Sequence, residues 1–257
     1  MAKKPLILIT NDDGITAKGI AQLVKSMQKI GDILVVAPDK PQSGMGHAIT
    51  IHHPLRLSKS NQFEGIEAYT CSGTPVDCVK LGIYEIIKRR PDLLVSGINH
   101  GSNAATNVLY SGTMSAAVEG AIEGIPSIGF SLLDHSIDAD FEAAGYYASQ
   151  IAAASLANNL QKGVCLNVNI PKGKLEELKG AKICRQGRAF WEDSFDKRTD
   201  PFGGDYYWLT GNFSSTDKGE DTDMWALDHG YVSVVPTQFD MTAHHLISQL
   251  NEWDLNK

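Results

Sequence analysis

Short, wholly apolar, β-branched runs recur through the first two thirds of the chain, separated by segments with helical spacing. Few folds accommodate that alternation. The first run is Pro5-Leu-Ile-Leu-Ile-Thr10, and others occupy residues 33–37, 92–95, 127–130 and 164–170. Runs without polar alternation read as strands buried on both faces. Between them, residues 17–30 carry Ile20, Leu23, Val24, Met27 and Ile30 at helical spacing, with Gly31 expected to cap the end. Residues 75–87 read as a helix with Pro75 in its first turn. Residues 113–123 and the alanine-rich 141–160 supply two more helices, and residues 55–57 and 66–70 two shorter strands. Strands alternating with helices imply a mainly parallel α/β sheet with right-handed crossovers.

The character changes after about residue 172, where charged and aromatic residues dominate. Residues 206–209 and 231–235 are expected to be strands of a hairpin-like extension, and residues 244–255 a terminal helix. The expected organisation is one domain over 1–257, with a core of about 1–171 and a C-terminal β-hairpin and helix arm over 172–257. Aromatic residues on such an arm suit an oligomer contact.

The 257 residues suffice for one large α/β domain, and a hydrophobic content of 42% with 21% charged residues is that of an ordinary globular protein. A net charge of −7 argues against a protein that tracks a nucleic-acid backbone. It leaves room for a small phosphorylated ligand, because a metal can supply positive charge locally. The apolar run behind Lys3 and Lys4 is too short for a signal-peptide core, and no stretch is long enough to span a bilayer. The four cysteines, Cys71, Cys78, Cys165 and Cys184, lack zinc-type spacing. They read as small buried hydrophobes in a reducing cytoplasm, and a cytoplasmic protein with no membrane partner is expected.

Four loops that follow apolar runs are rich in polar residues. Asn11-Asp12-Asp13-Gly14 sets two carboxylates side by side. They repel each other unless a cation is close, and a hard divalent ion is the commonest such cation. An Asx-type turn would use the same residue types. Pro41-Gln42-Ser43-Gly44-Met45-Gly46-His47 has glycines that permit close approach to a ligand, as any flexible loop would. Ser96-Gly97-Ile98-Asn99 opens a long stretch reaching Tyr110, and Asn oxygens are good ligands for hard cations. Tyr110-Ser111-Gly112-Thr113 opens a helix, where free N–H groups and the dipole favour an anion, although an ordinary N-cap looks the same. In a parallel sheet all four loops emerge at one edge. Together they suit a divalent cation bridging to a phosphate.

Other chemistries lack their motifs. Gly44-x-Gly46 follows the wrong strand and has Ile49 at the third position of a dinucleotide fingerprint. Gly14 and Gly19 have P-loop spacing, but Ile20 replaces the lysine. No Gly-x-Ser-x-Gly elbow or His-Glu-x-x-His helix is present. His47 and His100 lie in the candidate loops and read as peripheral.

The motifs, taken in order, resemble the SurE survival-protein family of metal-dependent 5′-nucleotidases. The likeness includes Asn11-Asp12-Asp13-Gly14, Ser43-Gly44, Gly73-Thr74-Pro75-Val76-Asp77, Ser96-Gly97-Ile98-Asn99, Tyr110-Ser111-Gly112-Thr113, Glu119-Gly120, Leu166-Asn-Val-Asn169, Thr222-Asp223 and Gly230-Tyr231. It implies a Rossmann-like core with an exchanged C-terminal arm, in a homodimer or homotetramer. It implies metal ligands Asp12, Asp13, Ser43 and Asn99, with Asp12 and Asp13 catalytic. The implied reaction is hydrolysis of nucleoside 5′-monophosphates, with some action on other phosphate esters. The family commonly has Arg, Leu, Gly and Asp where this chain has Gln42, Ala104, Ala105 and Asn107, in loops that shape the pocket.

The expected activity is therefore that of a phosphomonoesterase using one Mg²⁺- or Mn²⁺-like ion, since an all-oxygen donor set disfavours zinc. Backbone N–H groups of Ser111, Gly112 and Thr113 would hold phosphate oxygens. An aspartate could act as general base toward water or as nucleophile. The Asp-x-Asp pattern of aspartyl-phosphate enzymes is absent, since position 14 is Gly. A non-catalytic nucleotide sensor, or an oligomeric binding protein, is the alternative use of the same pocket.

Overall fold

The structure is a computed structural model and describes residues 4–255. These residues form a nine-stranded sheet flanked by helices, with a separate two-stranded hairpin. The elements of the first half are β1 (Leu6–Thr10), α1 (Lys18–Met27), β2 (Asp32–Pro38), β3 (Leu57–Ser60), β4 (Glu67–Cys71), α2 (Pro75–Leu81), β5 (Leu93–His100) and α3 (Gly112–Ile122). Then come β6 (Ser127–Leu132), α4 (Glu142–Asn158), β7 (Val164–Ile170), β8 (Ala181–Ile183), β9 (Ala189–Thr199), β10 (Asp205–Ser215), α5 (Asp223–Asp228), β11 (Val232–Gln238) and α6 (Ile247–Leu250).

The sheet order is β3-β4-β2-β1-β5-β6-β7-β11-β8. From β4 to β7 every neighbour pair is parallel. The chain winds outward from β1 through β2 to β4, then returns to the far side of β1 for β5, β6 and β7. That is the doubly wound Rossmann order, and it puts the topological switch point between β1 and β5. Ligand crevices in such sheets lie at the carboxyl ends of the strands on either side of the switch.

The core follows from strand periodicity. Ile7 and Ile9 face one layer with Ile20, Leu23 and Phe130, whereas Leu8 faces the other with Val36, Cys78 and Val79. Both sheet faces are covered, so β1 and β2 carry no polar alternation. Thr74 caps α2 through a capping box with Asp77, and Pro75 sits where its missing N–H costs nothing. The expected helix over 75–87 divides there: α2 passes into a wider π-type turn at Gly82–Ile87.

Three expectations are corrected. Helix α1 ends on Gln28 rather than at Gly31. Gly31 is there because an added Cβ would lie 2.3 Å from the Pro5 carbonyl oxygen. The strand expected at 231–235 is not part of the hairpin: it is β11, antiparallel to β7 inside the main sheet. The hairpin is β9 and β10, paired from Ala189↔Ser215 to Thr199↔Asp205. The terminal helix shrinks to a 3₁₀ turn at His244–Leu246 and the four-residue α6. Its apolar residues Leu246, Ile247, Leu250 and Trp253 stay exposed in this chain. A helix that short gains little from propensity alone and needs packing to extend.

Candidate functional site

Strand β1 delivers Asp12 and Asp13 directly to the switch point. Asp12 is only 3% exposed. Its Oδ1 accepts a hydrogen bond of 2.5 Å from the Thr113 hydroxyl at the start of α3, and the Thr113 N–H also faces the carboxylate. Helix α3 reaches that close because residue 112 is glycine: an added Cβ would lie 2.7 Å from the Asp12 Cβ. Ser111 caps α3 by accepting from the Met114 N–H at 3.0 Å. The helix start therefore serves Asp12 as well as the space in front of it, and its dipole favours negative charge there.

Asp13 Oδ2 accepts from the His100 backbone N–H at 3.4 Å. Burial is the main cause lifting the Asp12 carboxyl to about 6, with the neighbouring Asp13 charge adding to it. Burial lifts Asp13 as well. Two adjacent carboxylates, one buried and one half-buried, thus meet with no Lys or Arg lining the pocket, although the His100 side chain eases the charge on Asp13.

Strand β5 brings Asn99, whose Nδ2 donates to the Gly101 carbonyl at 2.9 Å and leaves Oδ1 free. The loop after β2 is tied down beside it. The Gln42 N–H donates to the Asp12 carbonyl at 2.8 Å and the Gly46 N–H to the Tyr110 carbonyl at 3.2 Å. Ser43 lies between these two ties. Asp12, Ser43, Asn99 and Ser111 line one pocket of 470 Å³, within the roughly 300–1,000 Å³ usual for small-ligand sites. Asp13, Gly112 and Thr113 are not part of that lining and touch it through Asp12 and His100. Beneath the pocket, Thr10 and Ser96 are in register on β1 and β5. Their hydroxyls, and Asn11 Oδ1, are buried without a partner among the described residues.

A divalent cation fits this arrangement. The donors are hard oxygens: two carboxylates, a hydroxyl and an amide oxygen turned outward by its own hydrogen bond. No group of three His, Cys, Asp or Glu that could hold a metal occurs among the described residues. A metal centre here therefore depends on the Ser and Asn donors.

Several residues that build the site were not among the expected site residues, although Glu119, Asn167, Asn169 and Asp223 lie within the family-like segments. Glu119 on α3 is 3% exposed and anchors the Ser43 loop. It accepts from His47 Nε2 at 2.9 Å and is paired with Lys80 of α2. Burial works against its charge, but those two partners hold its carboxyl below the usual range. Asn167 and Asn169 on β7 hold the loop after β5. Asn169 Oδ1 accepts from the Asn103 N–H at 2.7 Å, and Asn167 Nδ2 donates to the Asn103 carbonyl at 2.8 Å. Their signal was two amides, two residues apart on one face, inside an otherwise apolar strand. Asp223, fully buried, accepts from the backbone N–H groups of Ala105, Gly187 and Met224, each at 2.8 Å.

The fold and site define a doubly wound α/β protein with a carboxylate-lined ligand pocket at its switch point. The family model described as "Survival protein SurE" matches residues 7–193. Proteins named 5′-nucleotidase SurE from Flavobacterium psychrophilum and Flavobacterium johnsoniae are 64% and 62% identical to the chain over 255 residues. Each match spans 99% of this chain and 99% or 98% of the relative. The crystal structure of the SurE protein from Aquifex aeolicus superposes with a TM-score of 0.84 at 38% identity, covering 96% of this chain and 98% of that one. The chain belongs to the SurE family.

Proposed function

We propose that the chain is a divalent-metal-dependent 5′-nucleotidase, hydrolysing nucleoside 5′-monophosphates to nucleoside and phosphate. The observation that carries this reading is the adjacent pair Asp12 and Asp13: buried Asp12 lines one pocket with Ser43 and Asn99, half-buried Asp13 lies directly beside it, and no Lys or Arg lines that pocket. A plain phosphate binder would present N–H groups and Lys or Arg, and two bare anions would only weaken it. The names of the full-length relatives support the same activity.

Asp12, Asp13, Ser43 and Asn99 would hold one Mg²⁺ or Mn²⁺ ion. When bound, it would polarise a phosphoryl oxygen and offset charge in the transition state. The chain's own part is to hold the carboxylates through Thr113 and His100 and to present the start of α3, Ser111 to Thr113, toward the phosphate oxygens. Glu119→Ala would release the Ser43 loop. Its expected effect is a metal affinity about 10- to 100-fold weaker, as for other residues that orient ligands, read by Mn²⁺ titration; unchanged affinity would remove Glu119 from this role.

The exposed rings of Phe195, Tyr207 and Trp208 on the hairpin support a homodimer or homotetramer joined through the arm. No helix of the described residues is long and apolar enough to cross a membrane. Together with four buried, unpaired cysteines, that agrees with residence in the cytoplasm.

The test is phosphate release from a panel of nucleoside 5′-monophosphates before and after EDTA, with Mn²⁺ or Mg²⁺ then restored. Release that EDTA abolishes and the ion recovers is expected. Nucleotide binding without release would turn the reading to a sensor.

A further inference from the structure

The hairpin contributes two aromatic side chains to the pocket that Asp12 lines. Trp191 on β9 and Phe213 on β10 are a cross-strand pair, and both line the same pocket as Asp12, Ser43 and Asn99. Their ring centroids are 5.4 Å apart with planes at 57°, so they do not stack on each other's faces. Trp191 remains 47% exposed. Its indole is nonetheless held in place: Nε1–H donates to Asn107 Oδ1 at 2.9 Å, on the 3₁₀ turn between β5 and α3. The neighbouring Thr106 hydroxyl donates to the Ala189 carbonyl at 2.7 Å and fixes the base of β9 to the same turn.

A wide, exposed aromatic surface held rigid by a polar bond is costly in water unless something covers it. The charge around it narrows what that is. No Lys or Arg lines the pocket, and Asp228 joins Asp12 in it. A ligand with several phosphates would find no Lys or Arg beyond the carboxylate end, only His100 and His135. An uncharged flat ring attached to a single phosphate fits.

We infer that Trp191 and Phe213 form the stacking platform for the nucleobase, and that Asn107 is a positioning residue that fixes the indole plane. This rests on the nucleotidase reading for the identity of the ligand. It adds where the base sits. Base–aromatic stacking has the strength and tolerance of sequence that such a role requires.

The experiment compares adenosine 5′-monophosphate with ribose 5-phosphate, which lacks the base, on the full-length chain. Binding is measured by calorimetry in EDTA and turnover with Mn²⁺. Trp191→Ala is expected to weaken binding of adenosine 5′-monophosphate, and to raise its KM, by roughly 5- to 150-fold. Its kcat, and all constants for ribose 5-phosphate, should stay near wild type. Trp191→Phe keeps a ring and should retain most of the affinity. Asn107→Leu, which removes the indole's acceptor, should weaken the base-containing ligand alone. Equal losses on both ligands, or no loss on either, would overturn the platform. Selective binding loss in a chain that releases no phosphate would uphold the platform and overturn the nucleotidase reading instead.

Discussion

Asp12→Asn should lower phosphate release from nucleoside monophosphates by roughly three orders of magnitude while the chain still folds. A bound divalent ion stabilises transition-state charge by several kcal/mol, at about 1.4 kcal/mol per tenfold in rate. The substitution removes one of the two charges that would retain the ion but keeps an oxygen for the Thr113 hydroxyl. The same change should stabilise the metal-free chain. Asp12 has a folded-state pKa of about 6 against an ordinary 3.8, because burial disfavours its charged form. The folded state therefore holds the proton more tightly than the unfolded state does. Stability is lost as pH rises from about 4 to about 6, and the full penalty persists above that. Two pKa units correspond to about 3 kcal/mol. Asp12→Asn should recover an amount of that order at pH 7.5 and almost nothing at pH 4, measured by urea unfolding in EDTA. Full activity in the variant, or equal gains at both pH values, would count against a cation-dependent Asp12. Asp13→Asn should also abolish activity; the lift on Asp13 has the same direction.

Asp223→Ala should be the most destabilising substitution outside the apolar core, costing about 3 kcal/mol or more. Asp223 lies at the start of α5 and joins three chain segments that are distant in sequence. Its Oδ1 takes the N–H groups of Gly187 and Met224, and its Oδ2 that of Ala105. Truncation leaves buried donors without acceptors. It also frees Ala105, an alanine held at φ +50°, in the left-handed region that costs about 1 kcal/mol or more for a residue with a Cβ. The family resemblance leads one to expect glycine there, so the Asp223 bond is what holds an unfavourable conformation in place. Asp223→Asn keeps one accepting oxygen and should cost less. The urea midpoint measures both; a loss below about 1 kcal/mol for the alanine variant would show that the junction is dispensable.

The strand runs at 5–10 and 33–37 were legible because burial on both faces removes all polar alternation, and β1 and β2 sit at the centre of the sheet. The helix beginning at Pro75 was legible because its capping chemistry is local. Strand β11 was misplaced for the opposite reason. It pairs with β7 across some seventy residues of chain, from Gln238↔Val164 to Ser233↔Asn169, and local periodicity carries no information about such a partner. The exposed β9 carries little apolar pattern, so no strand was expected at Ala189–Thr199.

The site divides the same way. Asp12, Ser43, Asn99 and the start of α3 could be grouped because parallel topology sends loops after strands to one edge. Glu119, Asn103, Asn167 and Asp223 act through long-range hydrogen bonds to backbone or to other side chains. Nothing in their neighbourhood in sequence announces a partner 64 to 118 residues away. Trp191 was visible only as one more aromatic on the arm; its place in the pocket with Asp12 depends on how the hairpin docks against Thr106 and Asn107.

The most direct measurement is a titration of Mn²⁺ into EDTA-stripped, dialysed protein, following ion uptake and phosphate release from adenosine 5′-monophosphate together. Uptake of one ion per chain, release rising in step with it, and neither in Asp12→Asn are the expected results. Phosphate release by the stripped protein, or equal Mn²⁺ uptake by wild type and Asp12→Asn, would contradict a metal centre built on Asp12, Asp13, Ser43 and Asn99.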